Sequence, residues 1–145
     1  MTGEPVLVDS DTLSELSRGR PRVATRVLQY LERHGRLTIS SVTLFERLRG
    51  YRLALRLGKP LHEQLRQFEM FAAASIVLPV DAAVADRAAR IWSQIGARPR
   101  RAVGDVLIAA TASIHGLPLV TRNRRDFDPM TRVEGVPLSL VDWTR

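Results

Sequence analysis

The sequence predicts an α/β fold: one three-layer α/β/α domain over residues 1–145, with a mainly parallel sheet. Three observations predict it. Short apolar runs rich in β-branched residues alternate with longer segments whose apolar residues recur at helical spacing. The 145 residues, 45% hydrophobic and 26% charged, have a globular composition and suit one domain. No repeat, low-complexity tract or linker divides them. Short strands separated by helices imply a parallel sheet covered on both faces. In such folds the functional cleft lies beyond the carboxyl ends of the strands.

The elements follow in order. Pro5-Val6-Leu7-Val8 reads as a strand, and Asp11 to Ser17 as a helix interrupted by Gly19 and Pro21. Val23, Val27, Leu28 and Leu31 give a second helix, which Gly35 stops. Leu37-Thr38-Ile39 is a strand. Ser40 or Ser41 caps a helix running to about Leu57, before Gly58. Pro60 suits the first turn of the next helix, to about Ala74. Ile76 to Val80 is a strand, and Asp81 caps a helix carrying Val84, Ala88, Ile91, Trp92 and Ile95. A basic loop from Gly96 to Val103 leads to a helix from Asp105 to His115, closed by Gly116. Leu119-Val120-Thr121 is a fourth strand and Leu138 to Val141 a fifth. Phe45, Phe68, Phe71 and Trp92 fall at core spacing, which argues against base stacking by them.

Composition narrows the function. No apolar run approaches the ~18 residues of a membrane span, and the N-terminus lacks the pattern of a signal peptide. The expected location is the cytoplasm, away from membranes. With no cysteine, disulfide scaffolds, thiolate zinc sites and cysteine nucleophiles are excluded. Lys and Arg number 22 against 15 Asp and Glu, a net charge of +7, and every basic residue except Lys59 is arginine. That balance suits a polyanionic partner, since the guanidinium fork matches phosphate. A coding bias toward arginine would give the same composition.

Candidate acids stand where the topology places a cleft. Asp9 follows the first strand, Glu46 lies a turn and a half into the helix after the second, and Asp105 opens a later helix. Asn123 lies just past a strand exit. Asp105 shares a helical face with Ile108, Ala109 and Ala112, where a carboxylate is costly unless hydrogen-bonded or bound to a cation. Gathered carboxylates raise one another's pKa, and a divalent cation removes that penalty. Oxygen ligands favour Mg2+ or Mn2+ over zinc. Singly, each acid has an ordinary reading: Asp9 and Asp11 as helix caps, Asp105 as an N-cap, Glu46 paired with Arg49.

Four segments in order resemble the PIN-domain ribonucleases, and within them the VapC-type toxins of bacterial toxin–antitoxin pairs. Val6 to Leu16 is similar to the family's opening strand, first acid and following helix. Ile39 to Glu46 resembles its second acidic motif, Asp105 to Ala112 its third, and Leu119 to Phe127 its fourth. The chain departs at one place: many members carry a fourth acid where Asn123 stands, and Asp126 lies three residues on.

The resemblance implies metal-dependent hydrolysis of RNA phosphodiester bonds. Asp9, Glu46 and Asp105 would be catalytic and would hold Mg2+, or Mn2+, with Asn123 or Asp126 at a fourth position. Asp11 and Thr121 would support them. Arg98, Arg100, Arg101, Arg122, Arg124 and Arg125 flank this site and would carry the RNA backbone. A cognate antitoxin and a homodimer are the implied protein partners. Two rivals remain open. One is a non-catalytic basic module that binds RNA or protein. The other is a haloacid-dehalogenase-type phosphatase, from the Asp9-x-Asp11 opening; that class needs a downstream lysine and acidic pair, and the chain has only Lys59.

Overall fold

The computed structural model describes residues 3–96 and 102–145. Arg98, Arg100 and Arg101 lie outside the described residues. The chain runs β1 (Leu7–Val8), α1 (Ser10–Ser17), α2 (Pro21–His34), β2 (Thr38–Ser40), α3 (Ser41–Arg56), α4 (His62–Ala73), β3 (Ile76–Leu78), α5 (Ala82–Ile95), α6 (Val103–His115), β4 (Leu119–Val120), α7 (Arg124–Phe127) and β5 (Leu140–Val141), with a 3-10 turn over Asp128–Arg132 before the last strand.

All strand pairs are parallel. β4 lies between β1 and β5, β2 pairs with β3, and β1 neighbours β2. Side-chain alternation divides the core into two faces. Leu7, Leu119 and Leu140 face a cluster built from α5, α6 and α7, including Val84, Ile91, Ile108 and Phe127. Val8, Val120 and Val141 face the opposite cluster, with Leu13, Val23, Val27, Tyr30 and Ile39. Helices therefore cover both faces, as the alternation of elements in the sequence predicts.

Local chemistry sets the boundaries. Asp9, Ser40 and Asp81 each sit in extended backbone and cap α1, α3 and α5, accepting from Ser10 N, Val42 N and Val84 N. Gly116 closes α6 at φ 65°, a left-handed conformation that only glycine takes freely. Several expectations need correction. β1 omits Pro5, which has no N–H to give a ladder, and β3 ends before Pro79 for the same reason. α4 begins at His62 rather than in the turn containing Pro60, with Leu61 as its flanking residue. α6 begins at Val103, so Asp105 is its third residue rather than its opening one. Phe45 is 60% exposed, and Arg49 lies over its ring, 5.2 Å from the centroid. Its position one residue before Glu46 turns it away from the core, which helical spacing alone did not resolve. Among the described residues no helix is long and apolar enough to cross a membrane.

Candidate active site

The strand exits converge on Asp9. It directly follows β1, is 5% exposed, and its N–H donates to Val120 O at 2.9 Å, extending the β1–β4 ladder by one rung. Its carboxylate accepts from Ser10 N at 2.8 Å and from Thr121 Oγ1 at 2.9 Å. Thr121 directly follows β4 and is fully buried, and its N–H continues the ladder to Val141 O at 2.9 Å. Parallel strands ending together thus fix both partners of this hydrogen bond by backbone alone.

Around that pair a hydrogen-bond network closes. Thr121 Oγ1 accepts from Asn123 N at 3.0 Å. Asp11, in the first turn of α1, accepts from Arg122 N at 3.1 Å and lies 3.3 Å from Thr121 Oγ1. Asn123 Nδ2 donates to Asp126 Oδ2 at 2.8 Å, so the two candidates for a fourth acid are tied to each other. Glu46 is brought in from α3: its Oε1 accepts from Ser10 Oγ at 3.0 Å. Its other oxygen lies against Gly104 on α6, where an added Cβ would stand only 2.6 Å from Oε2. Asp105 follows Gly104, and its charge reaches Asp9.

The electrostatics are those of crowded acids. The Asp9 carboxyl is pushed up from an ordinary 3.8 to about 7. Burial is the largest cause, the neighbouring charge of Asp11 the next, and Asp105 adds a smaller push in the same direction. Hydrogen bonds from Thr121 and Ser10 oppose the rise.

These residues fit a hard divalent cation by donor chemistry. All are oxygen donors, and Asp9 is held near neutrality by a penalty that positive charge would cancel. Gly104 leaves open the space beside Glu46 that a side chain would fill. Among the described residues, no three acidic or imidazole side chains already stand in the arrangement that a bound ion imposes.

The flanking arginines divide. Arg122 Nη1 stands 2.6 Å from Glu15 Oε1, an ion pair off the hydrogen-bond direction. Arg124 lies 3.8 Å from Asp128, and Arg125 is exposed. Sequence reasoning missed Ser10, Gly104 and Glu15. Ser10 was hidden inside an acidic motif, Gly104 gives no signal without its neighbour on another helix, and Glu15 is marked out only by its ion pair with the distant Arg122.

A parallel sheet with helices on both faces, with Asp9 at a strand exit and Glu46 and Asp105 in the first two turns of α3 and α6, fits a PIN domain. The family model described as "PIN domain" matches residues 6–133, and the chain belongs to that family. It is 38% identical over 112 residues to the tRNA(fMet)-specific endonuclease VapC of Shigella flexneri, covering 76% of this chain and 77% of that protein. Among solved structures, the DNA-bound VapBC from Salmonella typhimurium matches with a TM-score of 0.73 at 24% identity, over 96% of this chain and 98% of that one. VapBC-1 from nontypeable Haemophilus influenzae matches with a TM-score of 0.73 at 24% identity, over 98% and 100%. At these identities the structural likeness speaks for the fold, which is the fold the sequence predicts.

Proposed function

We propose that the chain is a metal-dependent endoribonuclease and the toxin of a toxin–antitoxin pair. It acts on RNA in the cytoplasm as a homodimer formed by the single domain of residues 1–145, and a cognate antitoxin holds it inactive. One observation carries this reading: Asp9 is buried at the convergence of the strand exits, clamped by Thr121, with the charges of Asp11 and Asp105 pressing on it. Such an arrangement is unfavourable as mere capping and becomes favourable around a cation. The endonuclease relative from Shigella flexneri and the VapBC assemblies among the solved relatives support the same reading.

Asp9 and Asp105 are the residues to hold Mg2+, or Mn2+ in its place, and Glu46 completes the set. When bound, the ion supplies charge to stabilise the phosphorane oxygens and lowers the pKa of attacking water. As an alternative to holding the ion, Glu46, fixed by Ser10 and facing Gly104, would accept a proton from an attacking water at its carboxylate. Thr121 and Asp11 keep Asp9 aimed, through the hydroxyl of the one and the strand-exit amide held by the other. At the fourth position the carboxylate would come from Asp126, held by the Asn123 amide, since Asn123 itself supplies no charge. Arg124 and Arg125, with Arg98, Arg100 and Arg101, meet the RNA backbone.

The test is cleavage of a broad RNA panel by wild type, Asp9→Asn and Asp105→Asn, each with Mg2+ and with EDTA. Wild type cuts only with the metal, and each substitution lowers the rate by about 100-fold or more. Wild type that binds RNA and cuts none of the panel refutes the reading in favour of a binding module. Hydrolysis of a small phosphomonoester that Asp9→Asn abolishes would instead favour the phosphatase chemistry.

A further inference from the structure

The α1–α2 turn carries charge that the cleavage chemistry does not use. Glu15, on α1, has a side chain only 3% exposed, yet three arginines from two places in the sequence converge on it. Arg20 Nε donates to its Oε2 at 2.9 Å, Arg122 Nη1 lies 2.6 Å from Oε1, and Arg18 Nη1 lies 3.6 Å from Oε1. The guanidinium side chains stay open to solvent, at 62%, 54% and 63% exposure respectively. One buried carboxylate therefore orients three exposed cations and neutralises only one of them. A cleft of about 480 Å³ opens at this group, lined by Glu15 itself together with Arg20, Pro21, Arg22, Val23, Arg122 and Thr144. The N-terminus of α2 begins at its edge, and no side chain caps it. Its dipole thus adds positive potential to the cleft. Asp142, nearest along the chain to Thr144, is paired with Arg145 at 3.5 Å and accepts from Thr144.

We infer that this cleft is a phosphate-binding track for the RNA backbone, with Arg20, Arg22 and Arg122 as its donors. The inference rests on the nuclease reading above and gives the substrate a direction of approach. Arg122 directly follows Thr121, which clamps Asp9, and Glu15 lies six residues along the helix that Asp9 caps. At 1.5 Å per helical residue that is about 9 Å, the length of roughly three stacked nucleotides at about 3.4 Å each. A strand seated at Asp9 would have to run about that far along α1 to bring a phosphate to the cleft. The volume falls within the range of about 300–1,000 Å³ typical of small-molecule sites, room for a nucleotide unit. Glu15 makes the site specific in geometry: by holding two guanidinium groups at fixed positions, it reduces the ordering that phosphate binding requires.

The experiment measures binding of a fluorescein-labelled 12-nucleotide oligouridylate to the full chain in EDTA, from low to moderate salt, by anisotropy. Arg20→Ala/Arg22→Ala is compared with Arg20→Lys/Arg22→Lys and with Arg90→Ala on α5. The alanine pair lowers the slope of log K against log salt by about 0.7 for each phosphate that is no longer neutralised and weakens binding about 10-fold. The lysine pair keeps the slope, and Arg90→Ala changes neither quantity. Circular dichroism checks that each variant is folded. An alanine pair that binds with unaltered slope and affinity overturns the inference and leaves the nuclease reading standing. An oligoglutamate of equal length that displaces the RNA as well as unlabelled oligouridylate also overturns it, in favour of an acidic peptide. A wild-type chain that binds no RNA removes this inference and the nuclease reading together.

Discussion

At the residue scale, Asp9 serves two ends that pull against each other. As the cap of α1 it is well placed in either charge state, but as a buried acid beside Asp11 and Asp105 it resists ionisation. Its folded-state pKa lies above the unfolded value, so the folded chain binds the proton more tightly. The group's contribution to stability is therefore fully present below about pH 4 and is lost as pH rises to about 7. The span from 3.8 to about 7 corresponds to an upper bound of about 4 kcal/mol. Asparagine caps a helix as well as aspartate and carries no charge. In EDTA, Asp9→Asn is expected to melt close to wild type at pH 4.5 and several degrees above it at pH 8. Thermal melts at the two pH values check this, and a difference that does not change with pH defeats the assignment. The acids were legible in the sequence because strand and helix boundaries placed them at one edge. Their partners were legible only in part: Thr121, read as a support for the acids from its place at a strand exit, does bond to Asp9 across 112 residues, whereas the Ser10–Glu46 bond, spanning 36, leaves no sign in a linear pattern.

At the scale of elements, the approach of α3 to α6 decides how Glu46 is presented. Gly104, one residue before Asp105 on α6, brings the two helices together without a side chain between Glu46 and the helix backbone. A methyl group there would stand 2.6 Å from Glu46 Oε2 and 3.4 Å from Val42 Cγ1. The first neighbour is the end of a flexible side chain, so Gly104→Ala moves the carboxylate rather than the helix. Alanine also favours helix over glycine. The expected outcome is a melting temperature within a few degrees of wild type, with RNA cleavage at least 10-fold slower. Unaltered cleavage with a displaced Glu46 would show that its orientation is not needed. The order and type of most elements were legible because the strands centre on apolar residues and α1, α2, α3, α5 and α6 are marked by a capping side chain or a closing glycine; α7, four residues long with neither mark, was not. Boundaries were less so. α6 starts at Val103, before the residue that looked like its cap, because no side chain caps it at all: Ala102 precedes it.

At the scale of the whole molecule, Glu15 ties the α1–α2 turn to the loop after β4 across more than a hundred residues. Charge-assisted bonds to a buried acid contribute roughly 1.5–3 kcal/mol each, less where the partner is solvated. Glu15→Gln, which keeps the shape and removes the charge, is expected to lower stability by about 1–3 kcal/mol in urea titrations, and the deficit is expected to shrink in high salt. Unchanged stability would mean that the arginines merely rest on this acid. The alternating faces of the sheet have a different reach. β1 and β4 are two residues long, and in each the leucine serves one core and the valine the other. The next residue in each is Asp9 or Thr121, so the parity that sorts the core also counts out the position of the site. Removing or adding one residue in either strand would turn leucine and valine to the wrong sides and swing the acid or its hydroxyl partner away in the same stroke. Descendants of this chain can exchange these strand residues for apolar ones of similar volume but cannot change their number, and lengths should vary only in the outer loops.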